Sequence, residues 1–156
     1  MADNVYQSPY ADDLTYNDDC ILFRRIRPDW VRWNQTGPNG QWPRITSQAF
    51  QDYNEPMAER MGCPAPAMSV ALAHVLEASG HLPEALLVGF PGYGLASITV
   101  KDARDAGQGV TLWATSEEPW HGLVFGLVVQ IKSPGTRSIL AATAVWLILP
   151  SRPQRG

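Results

Sequence analysis

"HGLVFGLVVQIK", residues 121–132, is the most strand-like stretch of the chain. β-Branched and aromatic side chains dominate it, and these suit a pleated, largely buried surface. It commits the fold to a sheet, so the question becomes which other segments join it. Downstream, "SPGTRSILAATAVWLIL" (133–149) turns at Pro134 and Gly135, passes through alanines that favour helix, and ends in "VWLIL", which favours a last strand, with helix and strand hard to separate across it. Upstream, "VTLWAT" (110–115) and "LASITV" (95–100) read as strands on either side of "KDARDAG", a short helix stopped by Gly107.

Further towards the amino terminus, "ILFRRI" (21–26) is rich in strand formers and Pro28 ends it. A turn-rich excursion follows, carrying Trp30, Trp33 and Trp42 around "GPNG". It returns through "RITSQAF" (44–50), whose cation, hydroxyls and amide are expected to form the polar side of another sheet strand. Residues 52–67 read as an irregular loop. "SVALAHVLEASG" (69–80) has apolar residues at helical spacing, with Ser69 placed as an N-cap and Gly80 just past the end. A further turn of helix is expected after Pro83, which suits a first helical position. "GFPGYG" (89–94) precedes a strand instead of opening a helix, so it reads as a turn and not as a phosphate cradle. The expected fold is α+β, a single domain with a mixed, mainly antiparallel sheet of about five or six short strands and two or three helices.

A chain of 156 residues suits one domain, able to bury about two thirds of its unfolded surface. The division expected is a flexible acidic arm over 1–19, the domain over 20–150 and a flexible tail over 151–156. Cys20 and Cys63 belong to no CxxC or Cys/His pattern and read as two reduced thiols, so no metal site is expected. The first nineteen residues hold five aspartates and no cation, unlike a signal peptide, so none is expected and the expected compartment is the cytoplasm. The longest apolar run, Ile139 to Leu149, falls well short of the roughly 20 residues of a membrane helix. A net charge of −3 and a pI near 5.5 argue against nucleic acid as partner.

The cations are unevenly placed. Arg24, Arg25, Arg27, Arg32, Arg44 and Arg60 put half of the twelve lysines and arginines between residues 24 and 60. A guanidinium there offers a planar fork for phosphate or carboxylate, which makes Arg24, Arg25 and Arg44 candidate ligand contacts. Strand alternation points Arg24 and Arg25 to opposite faces, so only one of them is expected to share a cleft. Ser47 is the candidate hydroxyl beside them. In "SEEPWHG" (116–122), His121 and Glu118 are candidates for moving a proton, the imidazole being tunable near neutral pH. Trp30, Trp33 and Trp42, interleaved with arginines, have the composition of a protein-interface anchor and of a base-stacking platform.

The ordered series "LFRRIRPDW", "GQWPRITSQAF", "MSVAL", "LASITVKDARDAGQGV" and "EEPWHGLVFG" resembles a family of small bacterial proteins of uncharacterised type. In that family an arginine strand, a Ser-Gln-Ala-Phe-like segment, a Ser-Val step and a Pro-x-His turn recur. The resemblance covers about residues 20–149 and picks out Arg24 or Arg25, Ser47, Ala49, Phe50, Ser69, Val70, Pro119 and His121. It implies no activity. An arginine strand followed by a serine segment is also distantly similar to ADP-ribosyl-transferring folds, at the level of fold alone.

Two functions follow as expectations. The first is a small cytoplasmic bacterial binding or accessory protein that engages a protein partner through its tryptophan and arginine segment and its acidic arm. The second is a nucleotide-using transferase or hydrolase with a small nucleotide held by Arg24 or Arg25, positioned by Ser47, and His121 or Glu118 handling a proton. Neither specifies a cofactor.

Overall fold

The computed structural model describes residues 6–129 and 131–152. Eight strands run in chain order as β1 (Ile21–Ile26), β2 (Val31–Arg32), β3 (Arg44–Ile45), β4 (Met68–Leu72), β5 (Gly94–Thr99), β6 (Gln108–Leu112), β7 (His121–Gly126) and β8 (Val145–Ile148). Four α-helices, α1 (Glu55–Arg60), α2 (Ala73–Ala78), α3 (Val100–Asp105) and α4 (Pro134–Thr143), lie between them. Six strands form one sheet in the order β6-β7-β4-β1-β5-β8, every neighbouring pair antiparallel, while β2 and β3 make a separate ribbon. The fold is α+β.

The sheet is covered on both faces. Leu22, Val70, Leu72, Ile98, Val110 and Val124 share one face and, with Phe50, Leu140 and Ala141, form the main core. The opposite face carries two smaller clusters. One gathers Tyr10, Ala58, Cys63, Leu123 and Phe125; the other Ala71, Leu76, Leu86, Leu95 and Trp120. Gly109 is required between β6 and β7, since a Cβ there would lie 2.6 Å from the Phe125 ring.

Local chemistry sets the helix ends. Thr99 caps α3 through a reciprocal pair with Asp102, and Ser133 caps α4 by accepting from the Thr136 amide at 3.1 Å. Pro134 occupies the first turn of α4, where no amide donor is needed.

Several expectations are corrected. "RITSQAF" is not a strand of the main sheet: Arg44–Ile45 pairs only with Val31–Arg32, and Ser47–Phe50 closes into a 3₁₀ turn. The adjacent Ala49 and Phe50 are both buried in the main core, which strand alternation does not allow and a helical turn does. The helix expected over 69–80 is two elements, strand β4 and then α2, because a strand buried on both faces is as continuously apolar as a buried helix. The loop at 52–67 contains α1, capped by Asn54, whose side chain accepts from the Met57 amide. The long strand of 121–132 stops at Gly126.

The described part of the arm, residues 6–19, packs on the domain instead of standing clear. Tyr10 is buried and its hydroxyl donates to the Ala65 carbonyl at 2.5 Å. Asp12 pairs with Arg104 at 3.1 Å, and the Asp13 amide donates to Val110 at 2.8 Å. Of the tail, residues 153–156 lie outside the described residues, while the Ser151 amide donates to Gly92 at 2.9 Å. Cys20 and Cys63 are free thiols. Among the described residues no helix is long and apolar enough to cross a membrane.

Candidate functional site

The cleft is a fault in the sheet. β1 and β4 pair at Leu22↔Leu72 and Phe23↔Ala71 and nowhere further along the described strands, although β1 runs on to Ile26 and β4 begins at Met68. Beyond that pair the backbones separate, and a cavity of about 520 Å³ occupies the gap. That volume is within the range of small-molecule sites. Phe23, Trp30, Tyr53, Phe90 and Tyr93 supply its rings, and Arg24, Arg25, Ser69, Glu117, Glu118 and His121 its polar groups.

Both arginines line it, which corrects the expectation that only one does. Alternation still sends Arg24 to the core face with Leu22 and Ile26, and Arg25 to the other with Phe23. The strands have parted, so each side chain reaches the same gap from its own face.

Arg24 donates from Nε to Ala49 at 2.9 Å and from Nη1 to Ser69 at 2.8 Å, both backbone carbonyls, with its guanidinium 5.5 Å from the Trp30 ring centre. Among the described residues no carboxylate lies within ion-pair distance of it. Desolvation pushes its pKa down to about 10, against smaller opposing pulls from Tyr53 and Asp52, and it stays cationic at neutral pH. Arg25 is already engaged, donating to the Leu86 carbonyl at 2.5 Å and to Glu118 at 3.1 Å while lying 4.1 Å from the Phe90 ring centre.

His121 is 3% exposed and bonded at both nitrogens. Nδ1 lies 2.7 Å from the Trp113 carbonyl oxygen, which only accepts, so Nδ1 carries a proton. In the neutral ring, Nε2 then presents its lone pair to the Ser69 hydroxyl at 2.7 Å. The pairing of Ala71 with His121 and of Ser69 with Leu123 places Ser69 and His121 on one face as diagonal cross-strand neighbours, within reach of the long imidazole.

Of the other residues singled out from the sequence, Glu118 lines the cavity through its pair with Arg25, and Trp30 forms part of the wall. Ser47 opens the 3₁₀ turn and does not line the cavity. Arg44 is exposed on the ribbon and donates to Gln35 at 3.0 Å. Trp33 is half-buried, its ring centre 6.1 Å from that of Trp42, and Trp42 is 47% exposed. Ser69 is the residue that sequence reasoning placed elsewhere, as a helix cap. In "MSVAL" one hydroxyl interrupts a buried run and calls for a partner, without saying which.

Among the described residues no group of three or more His, Cys, Asp or Glu is placed to hold a metal ion. Comparison with protein-family models, with curated proteins and with solved structures returned no match.

Proposed function

We propose that this cleft binds a small anionic molecule of the nucleotide kind, a phosphate or carboxylate against Arg24 and a planar ring against the aromatic wall. The observation that carries this reading is Arg24 itself. This half-buried guanidinium has two backbone carbonyls as hydrogen-bond partners and no carboxylate within ion-pair distance among the described residues, and an incoming anion supplies a counter-charge. Its Nη2 makes no hydrogen bond among the described residues and is free to join such a contact. The Trp30 ring is engaged by the guanidinium groups of Arg24 and Arg27, so a planar ring would lie against the other aromatic side chains of the wall, Tyr53, Phe90 and Tyr93. The reduced thiols of Cys20 and Cys63 favour a cytoplasmic setting.

A thermal-shift series with inorganic phosphate, AMP, ADP-ribose and NAD tests it. A ligand at 100 times its dissociation constant adds about 2.7 kcal/mol, or roughly 5–10 °C in Tm for a chain of this size. Arg24→Met removes that shift and Arg24→Lys retains part of it. If none of the four compounds moves the transition, or if Arg24→Met shifts as much as the parent, the reading is wrong.

A second reading, a protein partner docked on the tryptophan segment, is favoured by the exposed Trp42 edge-on to Trp33. Crosslinking through a photoreactive residue at position 42 in the native host tests it, and recovery of no crosslinked protein ends it.

A further inference from the structure

We propose that Ser69 is a nucleophile activated by His121, and that the protein cleaves a carboxylic ester whose substrate also carries the anion received by Arg24. This rests on the cleft being the ligand site and adds a reaction to it.

Three observations converge on Ser69. Its hydroxyl lies 2.7 Å from His121 Nε2, within the range at which a base takes a proton from a nucleophile. The base is oriented: Nδ1 is tied to the Trp113 carbonyl at 2.7 Å and the ring is buried, so the same nitrogen always faces the hydroxyl. A backbone carbonyl thus fills the place of the third group of a triad. Finally, Ser69 is among the residues that line the cavity, on the same face as His121.

The reaction balances without a metal or redox partner. Ser69 Oγ adds to the ester carbonyl carbon while its proton passes to His121 Nε2. The C–O bond to the alcohol breaks, and that oxygen takes the proton from Nε2. Water then adds to the acyl-serine, giving one proton to Nε2; the carboxylic acid leaves as the serine oxygen recovers that proton. Ester and water become acid and alcohol, and the pair returns to its starting state.

The test is labelling of the full chain with an alkyl fluorophosphonate. An Oγ–P bond forms, the P–F bond breaks, fluoride departs, and the serine proton moves through His121 to water. Intact mass is expected to rise by one adduct per chain, mapped to Ser69 and absent in Ser69→Ala. His121→Gln is expected to slow labelling by about 100-fold or more, the lower range for a general base. Should that variant fail to fold, His121→Asn takes its place with the same expectation. A hydrogen bond that only satisfies two polar groups predicts instead no adduct at Ser69, or labelling indifferent to His121, and either result overturns the proposal. A chain stabilised by AMP that takes no label loses the nucleophile and keeps the anion site. One that takes the label at Ser69 and gains stability from no anion loses the anion site alone.

Discussion

The Oγ of Ser69 and the Nε2 of His121 meet at 2.7 Å across 52 residues of chain. They meet because β4 and β7 are neighbours in a register that sets the two side chains diagonally on one face. Replacing the imidazole removes the partner of two half-buried polar groups, the Ser69 hydroxyl and the Trp113 carbonyl. His121→Ala is therefore expected to lower stability by about 1–3 kcal/mol. Urea denaturation monitored by tryptophan fluorescence reads this directly; a change below about 0.5 kcal/mol, the scale of ordinary surface substitutions, would mean that water replaces the ring without loss.

Behind the cleft, Lys132 and Asp52 form an ion pair whose side chains are 0% and 2% exposed. Lys132 also donates to the Val124 carbonyl at 2.9 Å, and its amide donates to Asp52 at 2.8 Å. Burial holds the Lys132 ammonium below its usual pKa, against the opposing pull of Asp52. Asp52→Ala leaves that cation without its partner and is expected to cost about 3–5 kcal/mol. The double variant Asp52→Leu/Lys132→Met removes both charges and should recover most of the loss. A double variant no more stable than Asp52→Ala would show that the hydrogen bonds, and not the charge, dominate.

Gln41 ties the ribbon to the end of α4. Its amide nitrogen donates to the Ala141 and Ala144 carbonyls at 2.7 Å each, and its oxygen accepts from the Ile45 amide at 3.2 Å. The side chain is buried, so Gln41→Ala leaves two acceptors and a donor without it, and a loss of about 2–4 kcal/mol is expected. Hydrogen exchange at Ile45 should accelerate in the variant; unchanged protection there would count against the amide's role.

The Tyr10 phenol has its pKa raised from 10.0 to about 12, chiefly by burial, with the Ala65 hydrogen bond working the other way. Above pH 10 the unfolded chain loses this proton while the folded chain keeps it. The resulting stability is complete below pH 10 and is lost as pH rises through about 12. Two units correspond to roughly 2.7 kcal/mol at most. Tyr10→Phe should cost about 1 kcal/mol at neutral pH, for the lost hydrogen bond, and flatten the decline between pH 10 and 12. An alkaline decline of the same slope in the variant would assign it to other groups.

The elements legible from residues alone are those whose cues are local. The strand formers of Ile21–Ile26, the turn at Pro134 and Gly135, and the stop of the short helix α3 at Gly107 each act within a few positions of themselves. The run from Met68 to Ala78 was not separable in this way, since burial on both faces of a central strand erases the alternation that distinguishes strand from helix. Ser47 and Ser69 show the same limit at the site: both are hydroxyls in apolar segments, and nothing within either segment says which one meets His121.

Composition and local pattern thus determined an α+β chain with a β-rich centre, arginines gathered early and a histidine at the head of the strongest strand. Tertiary structure alone decided that β1 and β4 part after Phe23 and Ala71, that both arginines enter the gap, and that Ser69 faces His121. The reason is physical. Strand order and register are settled by packing summed over the whole sheet, and a shift of one residue in β4 would turn Ser69 to the opposite face.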